Sequence, residues 1–184
     1  GMGEPLLNYK NVLRSIHFIT SEEGLNMSYK RITLSTSGIS KMIRKLADDN
    51  VKVNLALSLH AANEELRKKI MPIGKSNTLE EIRDSLKYYF SKTKKKVTYE
   101  YVLLRDVNDS IEDAYQLYKY TKHLSSKVNI IEYNAVEGLE FKKSSFEKTE
   151  KFIGYLLKKG VNVSLRRSRG KDINAACGQL ANKN

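Results

Sequence analysis

Four short polar clusters follow β-rich stretches, and each carries groups able to hold a polar ligand. They are Ser35-Thr36-Ser37-Gly38, Ser58-Leu59-His60, Arg105-Asp106-Val107-Asn108-Asp109 and Tyr133-Asn134. Hydroxyls, an imidazole, carboxylates and amides on one rim would suit a ligand with several hydrogen-bonding groups. Each cluster also has a plainer explanation, since Ser, Asn and Asp often follow strands as caps and turn formers. Asn108-Asp109-Ser110 in particular reads as a turn into a helix, and His60 alone is equally a satisfied loop histidine. Near the start, Gly1-Met2-Gly3-Glu4-Pro5 makes a glycine-bearing turn before a helix. Its backbone can approach a ligand closely, and Glu4 can receive an ammonium group.

The C-terminal stretch is chemically distinct. Arg166, Arg167, Arg169 and Lys171 place four cations in six residues, and Cys177 follows among Ala175, Ala176 and Gly178. Small neighbours leave its sulfur approachable and nearby cations favour its thiolate, although a buried inert cysteine fits the same residues. The four cations suit a polyanionic partner or, alternatively, pair with acids such as Glu132 or Asp172.

The elements that must position these groups are read from periodicity. Strand-like segments at residues 31–35, 51–59, 97–104, 128–132 and 161–165 alternate with amphipathic stripes. The stripes are Ile39/Met42/Ile43/Leu46, Leu79/Ile82/Leu86/Tyr89, Ala114/Leu117/Tyr118/Thr121/Leu124 and Phe152/Ile153/Leu156/Leu157. A further helix carries Tyr9, Val12, Leu13 and Ile16. Thr78/Glu81, Ser110/Asp113 and Ser144/Glu147 are the expected capping boxes, with Gly160 closing the last helix. The apolar run 51–59 suggests a strand covered on both faces. Strand–helix alternation at this spacing predicts an α/β fold with a mainly parallel sheet and flanking helices. An open doubly wound sheet and part of a barrel satisfy the pattern equally, and both place ligands at the carboxyl ends of the strands.

Composition bounds the rest. The chain of 184 residues is long enough for one domain with a real core, spanning residues 1–184. The net charge of +12 favours a polyanionic partner, or else reflects lysine-rich surface decoration. No apolar run reaches the roughly 18–20 residues of a membrane span, and the opening is not expected to be a signal peptide. One cysteine excludes an intrachain disulfide and fits a reducing, cytoplasmic compartment. It is also too few to hold an iron–sulfur cluster, and no metal-ligand set is expected.

Six words in this order and spacing, GMGEPLLN, RITLSTSGI, LALSLHA, EYVLLRDVNDS, IIEYN and RGKDINAACGQL, resemble the radical-SAM adenine methyltransferases of the RlmN/Cfr type. The likeness runs from Gly1 to about Leu180. It implies a partial radical-SAM (β/α) barrel, of which this chain supplies the later strands. It also implies S-adenosylmethionine and a [4Fe–4S] cluster as cofactors, and ribosomal and/or transfer RNA as the partner methylated at carbon 2 of adenine. By the same resemblance Gly3 and Glu4 hold the methionine amino group. Ser35, Ser58, Leu59, His60 and Asn134 make the other S-adenosylmethionine contacts, and Cys177 carries the transferred methyl group. The family's cluster-binding Cys-x-x-x-Cys-x-x-Cys lies upstream of GMGEP and is not in this sequence. Glu132 and Ala135 stand where the family has prolines. The isolated chain is therefore expected to be inactive. The second reading is a non-catalytic, basic RNA-binding remnant of the same fold. A third, an unrelated phosphate-binding α/β enzyme, requires a glycine-rich phosphate loop after a late strand, which is lacking.

Overall fold

A computed structural model describes residues 3–71, 76–136 and 138–167. The elements run α1 (Tyr9–Thr20), β1 (Thr33–Thr36), α2 (Ser40–Asp48), β2 (Asn54–Ser58), α3 (Glu64–Ile70), α4 (Leu79–Thr93), β3 (Val97–Leu103), α5 (Ile111–Thr121), β4 (Ser126–Glu132), α6 (Phe146–Lys158) and β5 (Val163–Arg166). The five strands form one sheet in the order β1-β2-β3-β4-β5, and every neighbouring pair is parallel.

That order decides between the two architectures. Each crossover joins a strand to its immediate neighbour, and right-handed crossovers then put every helix on the same side of the sheet. A doubly wound sheet requires the order to reverse; a barrel segment does not. Burial along the strands agrees. Leu55, Leu57, Val97, Tyr99, Tyr101, Leu103, Val128 and Ile130 point into the helical layer and are buried. The alternate residues Thr33, Ser35, Asn54, Ser58, Thr98, Glu100, Asn129 and Ser164 form a polar second face. The 51–59 run is thus covered by helices on one face only, and the polar residues Asn54 and Ser58 bracket Ala56 on the other.

Local chemistry sets the helix ends. Thr78 with Glu81 and Ser110 with Asp113 form reciprocal capping boxes at the starts of α4 and α5. For α6 the cap is Ser145, which accepts from the Lys148 backbone N–H, one residue beyond the expected Ser144. Ser144 instead donates to buried Asp109 at 2.6 Å. Gly160 follows α6 with φ +76, the left-handed conformation that closes a helix. Helix α3 was not foreseen in the periodicity. Its seven residues carry Glu64 and Glu65 at the start and Arg67, Lys68 and Lys69 at the end, in the sense that the helix dipole favours.

Candidate functional site

The carboxyl ends of β1 and β2 are built by different means. After β1 the chain turns through Thr36-Ser37-Gly38, and Glu4 grips that turn. Its Oε1 accepts from the Thr36 hydroxyl at 2.8 Å and the Leu6 N–H at 3.0 Å. Its Oε2 accepts from the Ser37 N–H at 2.7 Å and the Ser37 hydroxyl at 2.5 Å. A carboxylate offers about four lone-pair positions, so protein donors already use them all. From the other side the buried Arg67 guanidinium donates to the Ser37 carbonyl at 2.5 Å. Gly38 completes the turn at φ +102, where an added Cβ would come within 2.8 Å of the Ile82 Cδ1 atom.

After β2 the chain is held by a buried amide. His60 sits at φ +56, an uncommon conformation for a histidine, which invites a functional reading. The Asn108 Nδ2 donates to the His60 and Val102 carbonyls, both at 2.8 Å, while its Oδ1 accepts from the Leu104 N–H at 2.7 Å. The Tyr101 hydroxyl donates to the Asn108 carbonyl. The Val102 N–H donates to His60 Nδ1 at 3.1 Å. That bond leaves the proton of the neutral ring on Nε2. Burial, reinforced by the Arg67 charge, pushes the His60 pKa down to about 4. At neutral pH His60 is an uncharged N–H donor.

A cavity of about 690 Å³ opens over the polar face, within the range of ordinary small-molecule sites (~300–1,000 Å³). Ser35, Ser58, His60 and Asn134 all line it. Neither the Ser35 nor the Ser58 hydroxyl is engaged by another described side chain, and Asn134 is buried. The remaining predicted residues fall elsewhere. Glu4 lies at the β1 turn outside the cavity lining, with Gly3 exposed beside it. The Leu59 side chain is fully buried, because strand alternation turns it to the helical layer; only its backbone is near the site. Cys177, Arg169 and Lys171 lie outside the described residues. Arg166 and Arg167 are both exposed, and of the two Arg166 lines the cavity.

Sequence reasoning missed part of the lining. Glu100 lies beside Ser58 in the strand register, and its carboxylate accepts from Asn129, whose amide oxygen accepts from Ser164. The polar alternation Thr98, Glu100 along β3 was the available signal. Phe141 was missed as well; it meets Tyr133 of the Tyr133-Asn134 cluster edge to face at 6.3 Å, and both line the cavity. The loop bearing them is stapled to the turn after β3. Leu104 and Lys143 form an antiparallel bridge, Arg105 N–H donates to the Lys142 carbonyl at 2.8 Å, and Lys143 meets Glu132 at 3.0 Å.

Chemically, the Ser35 and Ser58 hydroxyls, the neutral His60 ring and the Asn134 amide are able to make neutral hydrogen bonds. No group of three or more His, Cys, Asp or Glu suited to a metal occurs among the described residues. The whole sequence has one cysteine, which does not fit a cluster held by several thiolates. Among the described residues no helix is long and apolar enough to cross a membrane.

A parallel sheet wound in one direction, with a cavity at the carboxyl ends of its strands, matches the radical SAM superfamily, whose sequence profile covers residues 1–118; the chain belongs to that superfamily. Its relatives narrow the likeness. It is 52% identical over 183 residues to the probable dual-specificity RNA methyltransferase RlmN of Christiangramia forsetii, and 56% identical to that of Flavobacterium psychrophilum. Each comparison covers 100% of this chain but only 52% and 53% of the relative, so the chain spans about half the length of the relatives it matches. A radical SAM methyltransferase from Sphaerobacter thermophilus superposes with a TM-score of 0.94 at 39% identity, covering 97% of this chain and 52% of that one. A domain of pyruvate-formate lyase-activating enzyme from Bacteroides vulgatus, 14% identical with a TM-score of 0.65, shares the fold.

Proposed function

We propose that this chain is the S-adenosylmethionine-binding, cysteine-bearing part of a cytoplasmic radical-SAM methyltransferase that acts on carbon 2 of adenine in ribosomal RNA, transfer RNA or both. Residues 1–184 are one domain of that enzyme. One observation carries the reading: Ser35, Ser58, His60 and Asn134, singled out by separate sequence motifs, line a single cavity. The RNA methyltransferases among the relatives support the activity.

When bound, S-adenosylmethionine supplies the methyl group. The Ser35 and Ser58 hydroxyls and the Asn134 amide orient it, and His60 donates its Nε2–H without taking up a proton at neutral pH. Glu4 receives the ammonium group by releasing the Ser37 hydroxyl, with the Gly3 backbone alongside. Leu59 contributes through its backbone alone. Cys177 is the methyl-carrying thiol. The [4Fe–4S] cluster belongs to cysteines that this chain does not contain, so the isolated chain binds the cofactor without cleaving it.

Titration calorimetry with S-adenosylmethionine tests this. The chain should bind it, and Ser35→Ala and Ser58→Ala should each weaken binding roughly three- to tenfold, as expected for the loss of one hydrogen bond, with thermal stability unchanged. After anaerobic treatment with iron and sulfide, chromatography should show no 5′-deoxyadenosine. Absence of binding, or binding indifferent to both substitutions, overturns the proposal.

A further inference from the structure

We infer that Arg166 holds a phosphate of the RNA nucleotide that enters the cavity, whereas its neighbour Arg167 takes no part in that contact. The inference rests on the cofactor and substrate assignments proposed above.

Arg166 and Arg167 are adjacent, and strand alternation separates them. Arg166 pairs in register with Ile131 at the end of β4, on the polar face, and lines the cavity; Arg167 does not line it. Among the described residues Arg166 is the only lysine or arginine lining the cavity, and it makes no ion pair there. Of the two acids among the described lining residues, Glu132 pairs with Lys143, and Glu100, held by the Asn129 amide, lies on β3, two strands from Arg166. His60 is neutral. At the β5 end of the cavity Arg166 therefore stands as a cation with no described acid paired to it, which favours an anionic group beside it.

Two anions are candidates, and sheet geometry separates them. The carboxylate of S-adenosylmethionine is one carbon from its ammonium group, which the proposed function places beside Glu4 at the end of β1. Arg166 ends β5, four strand spacings away, or roughly 19 Å along the sheet at about 4.8 Å per strand. The carboxylate cannot be at both places, and the cofactor has no phosphate. An RNA phosphate remains. Tyr133 and Phe141, lining the same cavity, give the attached base an aromatic surface.

The test uses a fluorescent RNA hairpin with an adenine in its loop, in two forms: one natural, one with the phosphates flanking that adenine replaced by neutral methylphosphonates. Anisotropy titrations with the chain should show Arg166→Ala losing about tenfold in affinity for the natural RNA and almost nothing for the methylphosphonate form. The slope of log K against log salt should flatten by roughly 0.7–0.9 for the natural RNA alone. Arg166→Lys should restore the slope but only part of the affinity, because lysine lacks the planar fork. Arg167→Ala should affect both RNAs equally, and S-adenosylmethionine binding should be unchanged in every variant. Equal losses on both RNAs for Arg166→Ala overturn the inference, as does weakened S-adenosylmethionine binding, which would mark a carboxylate contact. A chain that binds S-adenosylmethionine but no RNA overturns the inference alone. One that binds neither overturns the proposed function with it.

Discussion

The two rims of the sheet differ in how they use charge. At the amino-terminal rim, Lys30, Lys52 and Lys95 line a second cavity of about 560 Å³ with no acid among its lining residues. Burial, together with repulsion from Lys30 and Lys52, lowers the Lys95 pKa, and its ammonium donates to the Lys52 carbonyl. At the carboxyl-terminal rim the described lining is mostly neutral, with two carboxylates and one arginine. Among the described residues the lysines thus gather at the amino-terminal rim rather than around the cavity where the motifs converge. Net charge is a property of the whole molecule, whereas the described lining of this cavity is made mainly of neutral hydrogen-bonding and apolar groups.

If the carboxyl-terminal rim is the strongly built one, its buried amide should matter far more than an exposed amide on the opposite rim. Asn108→Ala would leave the His60 and Val102 carbonyls and the Leu104 N–H without their partner, at a cost of about 3 kcal/mol or more. The matching substitution Asn54→Ala removes one exposed bond to the Lys30 carbonyl and should cost less than about 1 kcal/mol. Urea unfolding of both variants makes the comparison, and equal losses would erase the distinction between the rims.

The next largest effect is in pH. His60 titrates near 4 in the folded chain against an ordinary 6.5. Between those values the unfolded chain takes up a proton that the folded chain does not. This contribution is complete above about pH 6.5 and is lost as the pH falls towards 4, amounting to about 3 kcal/mol at most. His60→Asn, which tolerates the left-handed backbone, should flatten the fall in stability between pH 6.5 and 4.5. An unchanged profile would mean that the imidazole is not held neutral by its surroundings. The smallest effect belongs to the other rim. Lys52→Glu relieves the repulsion around Lys95 and should stabilise the chain by a few tenths of a kcal/mol in low salt, with the gain vanishing in high salt. A gain that persists at high salt would deny an electrostatic origin.

What could be read from the sequence followed local periodicity, and what could not depended on distant partners. The stripes of α2, α4, α5 and α6 and the capping boxes at Thr78 and Ser110 are patterns within a few residues, and they locate those helices. The cavity members Ser35, Ser58, His60 and Asn134 were legible because each stands at or just after the carboxyl end of a strand. Strand order was not legible, since the same alternation serves two topologies. Glu4 was expected to await an ammonium group, yet its partners Thr36 and Ser37 lie more than thirty residues away in sequence, beyond any local signal. Ser144 resembles a cap in sequence, but a carboxylate on a different turn, Asp109, holds it. Helix α3 is too short for periodicity, and its buried Arg67 runs against the rule that charged residues lie outside.

The staple between the turn after β3 and the loop carrying Tyr133 and Phe141 bears on the entropy of binding. A loop with both ends fixed only by their strands and helices would have to surrender conformational freedom whenever a ligand settled against it. Here the Leu104–Lys143 bridge, the bond to the Lys142 carbonyl and the Lys143–Glu132 pair have already removed much of that freedom during folding. Preorganisation of this kind moves an ordering penalty from the binding equilibrium to the folding equilibrium, where the rest of the core helps to offset it. The aromatic side of the cavity can therefore retain a weakly interacting, transient guest that a looser loop of the same composition would release.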